Sequence, residues 1–131
     1  MWNRFNKSKS KMGNQRTETL GFSFGSKLES SVFLILKKME DEGVIVSIKV
    51  QDSVYLTLAK ILYKPDFRCE NPDGTFFWVE AKGFKTPVWA IKKRLWEYYG
   101  PGNLYIYEGS YKNPKLVEIL ISEGNIDQQS Y

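Results

Sequence analysis

The chain has 131 residues, of which 42% are hydrophobic and 26% charged, a globular rather than disordered composition that predicts one domain. It has one cysteine and no histidine, which excludes a disulfide framework, Cys- or His-ligated zinc, serine–histidine triads and Cys–His dyads. An enzyme without histidine is left with carboxylates and lysines, with or without a hard metal ion; net charge is only +4.

The distribution of charge says more than its sum. Residues 1–16 carry Arg4, Lys7, Lys9, Lys11 and Arg16 without an acid. Residues 82–94 carry Lys82, Lys85, Lys92, Lys93 and Arg94, again without an acid. All fifteen acids therefore face the other nine bases. Two basic segments on an acidic background suggest a polyanion, DNA or RNA first, or else a solvated tail and a solvated helix face. No apolar stretch approaches the roughly 18 residues of a membrane span. The basic N-terminus lacks the apolar core of a secretory signal, so a cytoplasmic, reducing compartment is expected.

Residues 1–20 lack periodicity and read as a flexible basic arm, with Lys7, Lys9 and Lys11 available to phosphates. The domain proper is expected over 21–124, with a polar tail over 125–131. A helix is predicted over 26–42, because Leu28, Val32, Ile35, Leu36 and Met39 recur at helical spacing and Gly43 can end it. Ser26 and Glu29 fit an S-x-x-E capping box. Strands are predicted over 44–50 and 54–62 about a turn at 51–53 in which Gln51 is a turn residue. A third runs over 63–70 and a fourth over 75–82, separated by the turn signal Asn71-Pro72-Asp73-Gly74. Thr86 caps a second helix that starts at Pro87 and runs to Tyr99. Its expected buried arc is Val88, Ile91, Leu95 and Tyr99. Lys93, Arg94 and Glu97 then lie opposite, and Lys92 sits at the edge of the arc, either snorkelling or reaching a charged site. Trp89 and Trp96 read as core or interface, with base stacking the other role open to them. A strand over 103–108 follows, and Asn113-Pro114 predicts a last helix over 115–123. The result is a mixed α/β (α+β) fold, a mixed central sheet of about five strands flanked by helices.

The chemistry concentrates on the central hairpin. Strand side chains alternate, so Glu80 and Lys82 share a face. Pairing about the 71–74 turn brings Asp66 beside Glu80, seven residues either side of position 73. Two facing carboxylates repel and resist ionisation unless something positive sits between them. A divalent cation is the economical answer. Mg²⁺ takes one or two carboxylates and keeps waters for a substrate phosphate. Lys82 can then hold the attacking water or offset charge on the phosphoryl group.

Pro65-Asp66 and Glu80-Ala81-Lys82 resemble the motif of the PD-(D/E)XK nuclease superfamily. The chain resembles small phage junction-resolving endonucleases within that superfamily, and Asp66-Phe67 with Glu80-Ala81-Lys82-Gly83-Phe84-Lys85-Thr86 is similar to a phage family pattern. Gln51 echoes a glutamine of that phage family. The resemblance covers about residues 24–108. It implies a restriction-endonuclease-like core in αβββαβ order. It implies a metal site of Asp66, Glu80 and the Ala81 carbonyl, completed by Glu29 on the first helix, a role that competes with capping. Glu29, Asp66, Glu80 and Lys82 are then the catalytic set, with Mg²⁺, or Mn²⁺ in its place, as cofactor. Lys85, Lys92, Lys93 and Arg94, with the N-terminal lysines, become DNA contacts. The implied activity is endonucleolytic cleavage of branched DNA, foremost four-way junctions, by a homodimer that makes two symmetric cuts. A general structure-selective or nicking endonuclease, and a non-catalytic DNA-binding phage accessory of the same fold, are the alternatives.

Overall fold

The computed structural model describes residues 17–124; Lys7, Lys9 and Lys11, most of the 1–20 arm and the 125–131 tail lie outside them. A short hairpin comes first, β1 (Thr17–Thr19) with β2 (Phe22–Phe24). Helix α1 spans Lys27–Asp41. The strands β3 (Ser47–Val50), β4 (Val54–Leu56), β5 (Ile61–Tyr63), β6 (Phe67–Glu70) and β7 (Phe76–Ala81) follow. Helix α2 spans Pro87–Tyr99, and β8 (Asn103–Glu108) and β9 (Lys115–Leu120) are the last elements among the described residues.

Five strands form the central sheet in the order β3-β6-β7-β8-β9, with β7 and β8 parallel and the other neighbours antiparallel. With both helices this is the expected mixed α+β class. Counting only α1, β3, β6, β7, α2 and β8, the succession is αβββαβ.

Alternation along the strands gives the sheet two apolar faces. Phe67, Cys69, Phe77, Val79 and Ala81 pack with Leu28, Val32, Phe33 and Leu36 of α1 and with Phe24. Trp78, Leu104, Ile106 and Leu120 pack on the other face with Trp89 and Trp96 of α2 and with Val54, Leu56 and Tyr63. A strand covered on both faces must be nearly continuously apolar, and β7 reads Phe-Phe-Trp-Val-Glu-Ala with only Phe76 exposed. Glu80 is the exception in that run, buried at 6% exposure. Among the described residues no helix is long and apolar enough to cross a membrane.

Five sequence expectations are corrected. Residues 115–120 are the edge strand β9 rather than a helix. Lys-Leu-Val-Glu-Ile-Leu fits either period, and pairing with β8 decides, after Gly109 (φ +107) turns the chain back. The single strand expected over 54–62 is a separate hairpin, because the backbone reverses at Thr57 (φ +74) and Lys60 (φ +57). The strand expected over 63–70 is interrupted between Tyr63 and Phe67, where Pro65 has no N–H for a ladder. On α2 the buried residues are Trp89 and Trp96; Leu95 and Tyr99 of the expected arc pack against the same cluster, partly buried, while Val88 and Ile91 are 60% and 59% exposed. The two large rings take the inward positions because they fill the space above Trp78 and Tyr63. The trace of β1–β2 also places structure at residues expected to belong to the arm.

The end of α2 depends on Gly100. Its φ of −60° suits any residue, but a Cβ there would meet the Trp96 ring and carbonyl at 2.6 Å. Gly100→Ala is therefore expected to lower stability by about 1–3 kcal/mol, read as a shift in the urea midpoint at constant slope.

Candidate metal and catalytic site

The hairpin register carries the site. Phe67 pairs with Val79, so Asp66, one step beyond the ladder, stands opposite Glu80. The Asp66 Oδ2 accepts the Ala81 N–H at 2.8 Å. The Gln51 N–H donates to the Asp66 carbonyl at 2.7 Å. Gln51 itself is left-handed (φ +58), so its turn pins the backbone that presents Asp66. The sequence marked Gln51 as a turn residue without this consequence.

Glu80 is held at both oxygens. The Tyr63 hydroxyl donates to Oε1 at 2.6 Å, and the Lys82 ammonium stands 3.3 Å from Oε2. Lys82 also lies over the Trp89 ring, 4.7 Å from its centroid, so the ammonium is fixed between an acid and an aromatic face. Tyr63 was not singled out from sequence; its place after an apolar run gave no polar signal. Burial, and then the Glu80 charge, push its hydroxyl far above the usual tyrosine range, so it remains a donor.

Glu29 is at the third position of α1, and its N–H donates to the Ser26 Oγ at 3.1 Å. The Ser26 hydroxyl is 3.4 Å from Glu29 Oε1. The serine caps the helix, and the Glu29 carboxyl, while meeting the Ser26 hydroxyl, also helps to raise the proton affinity of Asp66.

The electrostatics are those of crowded acids. Burial first, then the Glu80 and Glu29 charges, hold Asp66 well above its ordinary 3.8. Burial also raises Glu80 above its ordinary 4.5, although Lys82 and the Tyr63 hydroxyl pull the other way. One ammonium faces three carboxyls, so a cation fits the charge deficit. The donors are all oxygen, which suits Mg²⁺ or Mn²⁺ rather than a soft metal. Among the described residues no group of three or more acidic, thiol or imidazole side chains is arranged to hold a metal ion. One or two carboxylates with several waters are a set that Mg²⁺ commonly accepts.

The other sequence candidates divide. Lys85 pairs with Glu108 at 2.7 Å and Lys93 with Glu118 at 2.7 Å, so part of the helix charge is neutralised. The Lys92 Nζ donates to the Leu62 carbonyl at 2.7 Å, outside the carboxyl cluster. Arg94 is exposed. Cys69 is buried, and burial pushes its thiol up to about 12, which removes it as a nucleophile. A second buried acid, Asp52, accepts from Trp78 Nε1 at 2.9 Å and pairs with Lys49 at 3.0 Å; its charge is matched and it stands apart as structure.

No curated protein and no solved structure matches the chain. Residues 9–120 match the family described as "Protein of unknown function (DUF1064)", and the chain belongs to that family.

Proposed function

We propose that the protein is a metal-dependent endodeoxyribonuclease that hydrolyses phosphodiester bonds in branched DNA, foremost as a Holliday junction resolvase. The observation that carries this is the register of Asp66 against Glu80, with Lys82 on Glu80 and too little positive charge to balance the cluster. The resemblance of Pro65-Asp66 and Glu80-Ala81-Lys82 to the PD-(D/E)XK nucleases supports the same reading and supplies the junction preference.

Asp66, Glu80 and the Ala81 carbonyl hold Mg²⁺ or Mn²⁺, with Glu29 in support. The ion supplies electrostatic stabilisation of the phosphoryl charge and a more acidic water. Tyr63 fixes the Glu80 carboxyl in one orientation by its hydrogen bond. Lys82, steadied by Trp89, orients the attacking water and offsets charge on the phosphate. Lys92, Arg94, the N-terminal lysines, and Lys85 and Lys93 once exchanged from their acids, contact backbone phosphates, so affinity falls steeply with salt. No base-reading helix is required; recognition follows DNA shape. Two symmetric cuts require two sites, hence a homodimer. The edge strand β9, with Leu116, Val117 and Ile119 exposed, offers a surface for it. A lone buried thiol is in keeping with a reducing, cytoplasmic setting.

The test uses a labelled four-way junction and a linear duplex with Mg²⁺, Mn²⁺ or EDTA. Wild type is expected to place paired nicks on the junction only with a divalent ion. Asp66→Ala abolishes them, and Lys82→Ala slows them by about 10²–10³-fold with junction binding retained. Equal cleavage of both substrates replaces the resolvase reading by a general endonuclease. Binding without cleavage in either metal overturns the enzyme in favour of a non-catalytic DNA-binding module.

A further inference from the structure

The β4–β5 hairpin is set apart from the central sheet, as a two-stranded ladder of its own. Such a ladder is marginal alone. It is anchored on one face by Val54, Leu56 and Tyr63, which are buried against α2 and β7 residues. Lys92 ties the hairpin to α2 through the Leu62 carbonyl.

The other face and the tip are oddly apolar. Tyr55 is 56% exposed and Leu58 58% exposed, and Leu62, paired with Tyr55, is also exposed. The tip is held in a costly conformation: Thr57 and Lys60 are both left-handed without being glycine. A β-branched residue there is a true outlier and marks a segment whose shape is specified. The Ala59 N–H on Thr57 Oγ1 (3.0 Å) and the Lys60 N–H on the Thr57 carbonyl (3.1 Å) close the turn.

Charge narrows what covers this surface. Residues 53–65 contain Lys60 and Lys64 and no acid. Both lysines are exposed, and neither forms an ion pair among the described residues. Exposed aliphatic and aromatic side chains beside unpaired ammonium groups fit a polyanion that also presents flat apolar faces. DNA with unstacked bases has both; an intact duplex hides its base faces in the stack. The hairpin is joined to the candidate site through its inward face, where Tyr63 at the end of β5 donates to Glu80.

We propose that the β4–β5 hairpin reads disrupted base stacking: Tyr55, Leu58 and Leu62 seat on unstacked bases at a branch point, and Lys60 and Lys64 take the flanking phosphates. This rests on the nuclease reading and names what makes the site structure-selective. The hairpin that holds the occupant is the element whose Tyr63 orients Glu80, which links recognition of the distorted step to the carboxyl cluster.

The experiment measures binding by fluorescence anisotropy in EDTA. The probes are a four-way junction with 2-aminopurine at its centre, a single strand and a linear duplex. Full-length wild type, Leu58→Ala and Lys60→Glu are compared, with cleavage read in parallel in Mg²⁺. Both side chains are exposed, so thermal melts of the variants should overlay wild type. Wild type is expected to raise 2-aminopurine emission at the branch point. Each variant should lose about tenfold in affinity for the junction and single strand, lose less than twofold for the duplex, and leave the 2-aminopurine dark. If wild type cleaves and both variants keep its junction affinity and emission, the hairpin proposal fails and the nuclease reading stands. If both variants change oligomeric state by light scattering with DNA affinity intact, the face is a subunit interface and the proposal fails. If wild type neither binds nor cleaves any probe in Mg²⁺ or Mn²⁺, the nuclease reading falls and takes this inference with it.

Discussion

Asp66→Asn is expected to make the metal-free protein more stable at neutral pH while lowering divalent-dependent cleavage by about 10³-fold. The exchange is isosteric and keeps an acceptor for the Ala81 N–H. It removes the charge that repels Glu80 and Glu29. A gain of about 1 kcal/mol, some 4 °C in Tm, is the scale expected for relief of one such contact. The sign with pH follows from the raised carboxyls. A carboxyl whose proton affinity is higher in the folded chain binds protons on folding. Its contribution is therefore present below the unfolded value, near 3.8 for Asp66 and 4.5 for Glu80, and is lost as pH rises through the folded value. Without divalent ions, wild type should thus lose ground to Asp66→Asn as pH is raised upward from the ordinary carboxyl value of 3.8. Mg²⁺ should close the gap most at the alkaline end, because the ligands bind deprotonated. Melts with EDTA or Mg²⁺ across that range check it; parallel curves for the two proteins would show that the acids are not coupled.

Trp96→Ala is expected to cost about 3–5 kcal/mol, a large share of the 5–15 kcal/mol typical of a domain. Trp96 is fully buried, and its Nε1 donates to the Gly102 carbonyl at 2.8 Å. Its ring stands edge-on to Tyr63 and Trp78, with centroids 5.8 and 5.4 Å away. The consequence reaches the site, because Tyr63 orients Glu80. Trp96→Phe should retain more stability yet leave the Gly102 carbonyl without its donor, at about 1–3 kcal/mol. Urea titration of the three proteins gives both numbers. A Trp96→Ala midpoint within error of wild type would mean that α2 does not hold this face.

Much of the fold was legible because its signals are local. Ser26, Gly43, Thr86-Pro87 and the 71–74 turn bound their elements, and α1, β7, α2 and β8 lie close to where periodicity puts them. The 115–120 segment was not legible, since a six-residue apolar run satisfies helix and strand alike until a neighbour offers a ladder. Nor was the 54–63 hairpin, whose reversal uses Thr57 and Lys60 in place of the glycines that announce a turn. The inward face of α2 was legible only in part: Leu95 and Tyr99 follow the apolar period to the core, whereas Val88 and Ile91 follow it to solvent because two tryptophans fill the volume.

The sequence by itself determined the chemical vocabulary: no imidazole, one thiol, and acids and a lysine spaced to meet across a hairpin. It determined that spacing because strand alternation and a strong turn are properties of the chain alone. The tertiary structure decided how Glu29 divides between cap and cluster, that Tyr63 is the donor on Glu80, and which lysines are already matched by acids. Those depend on where separate elements come to rest, through burial and distance, which no local pattern encodes.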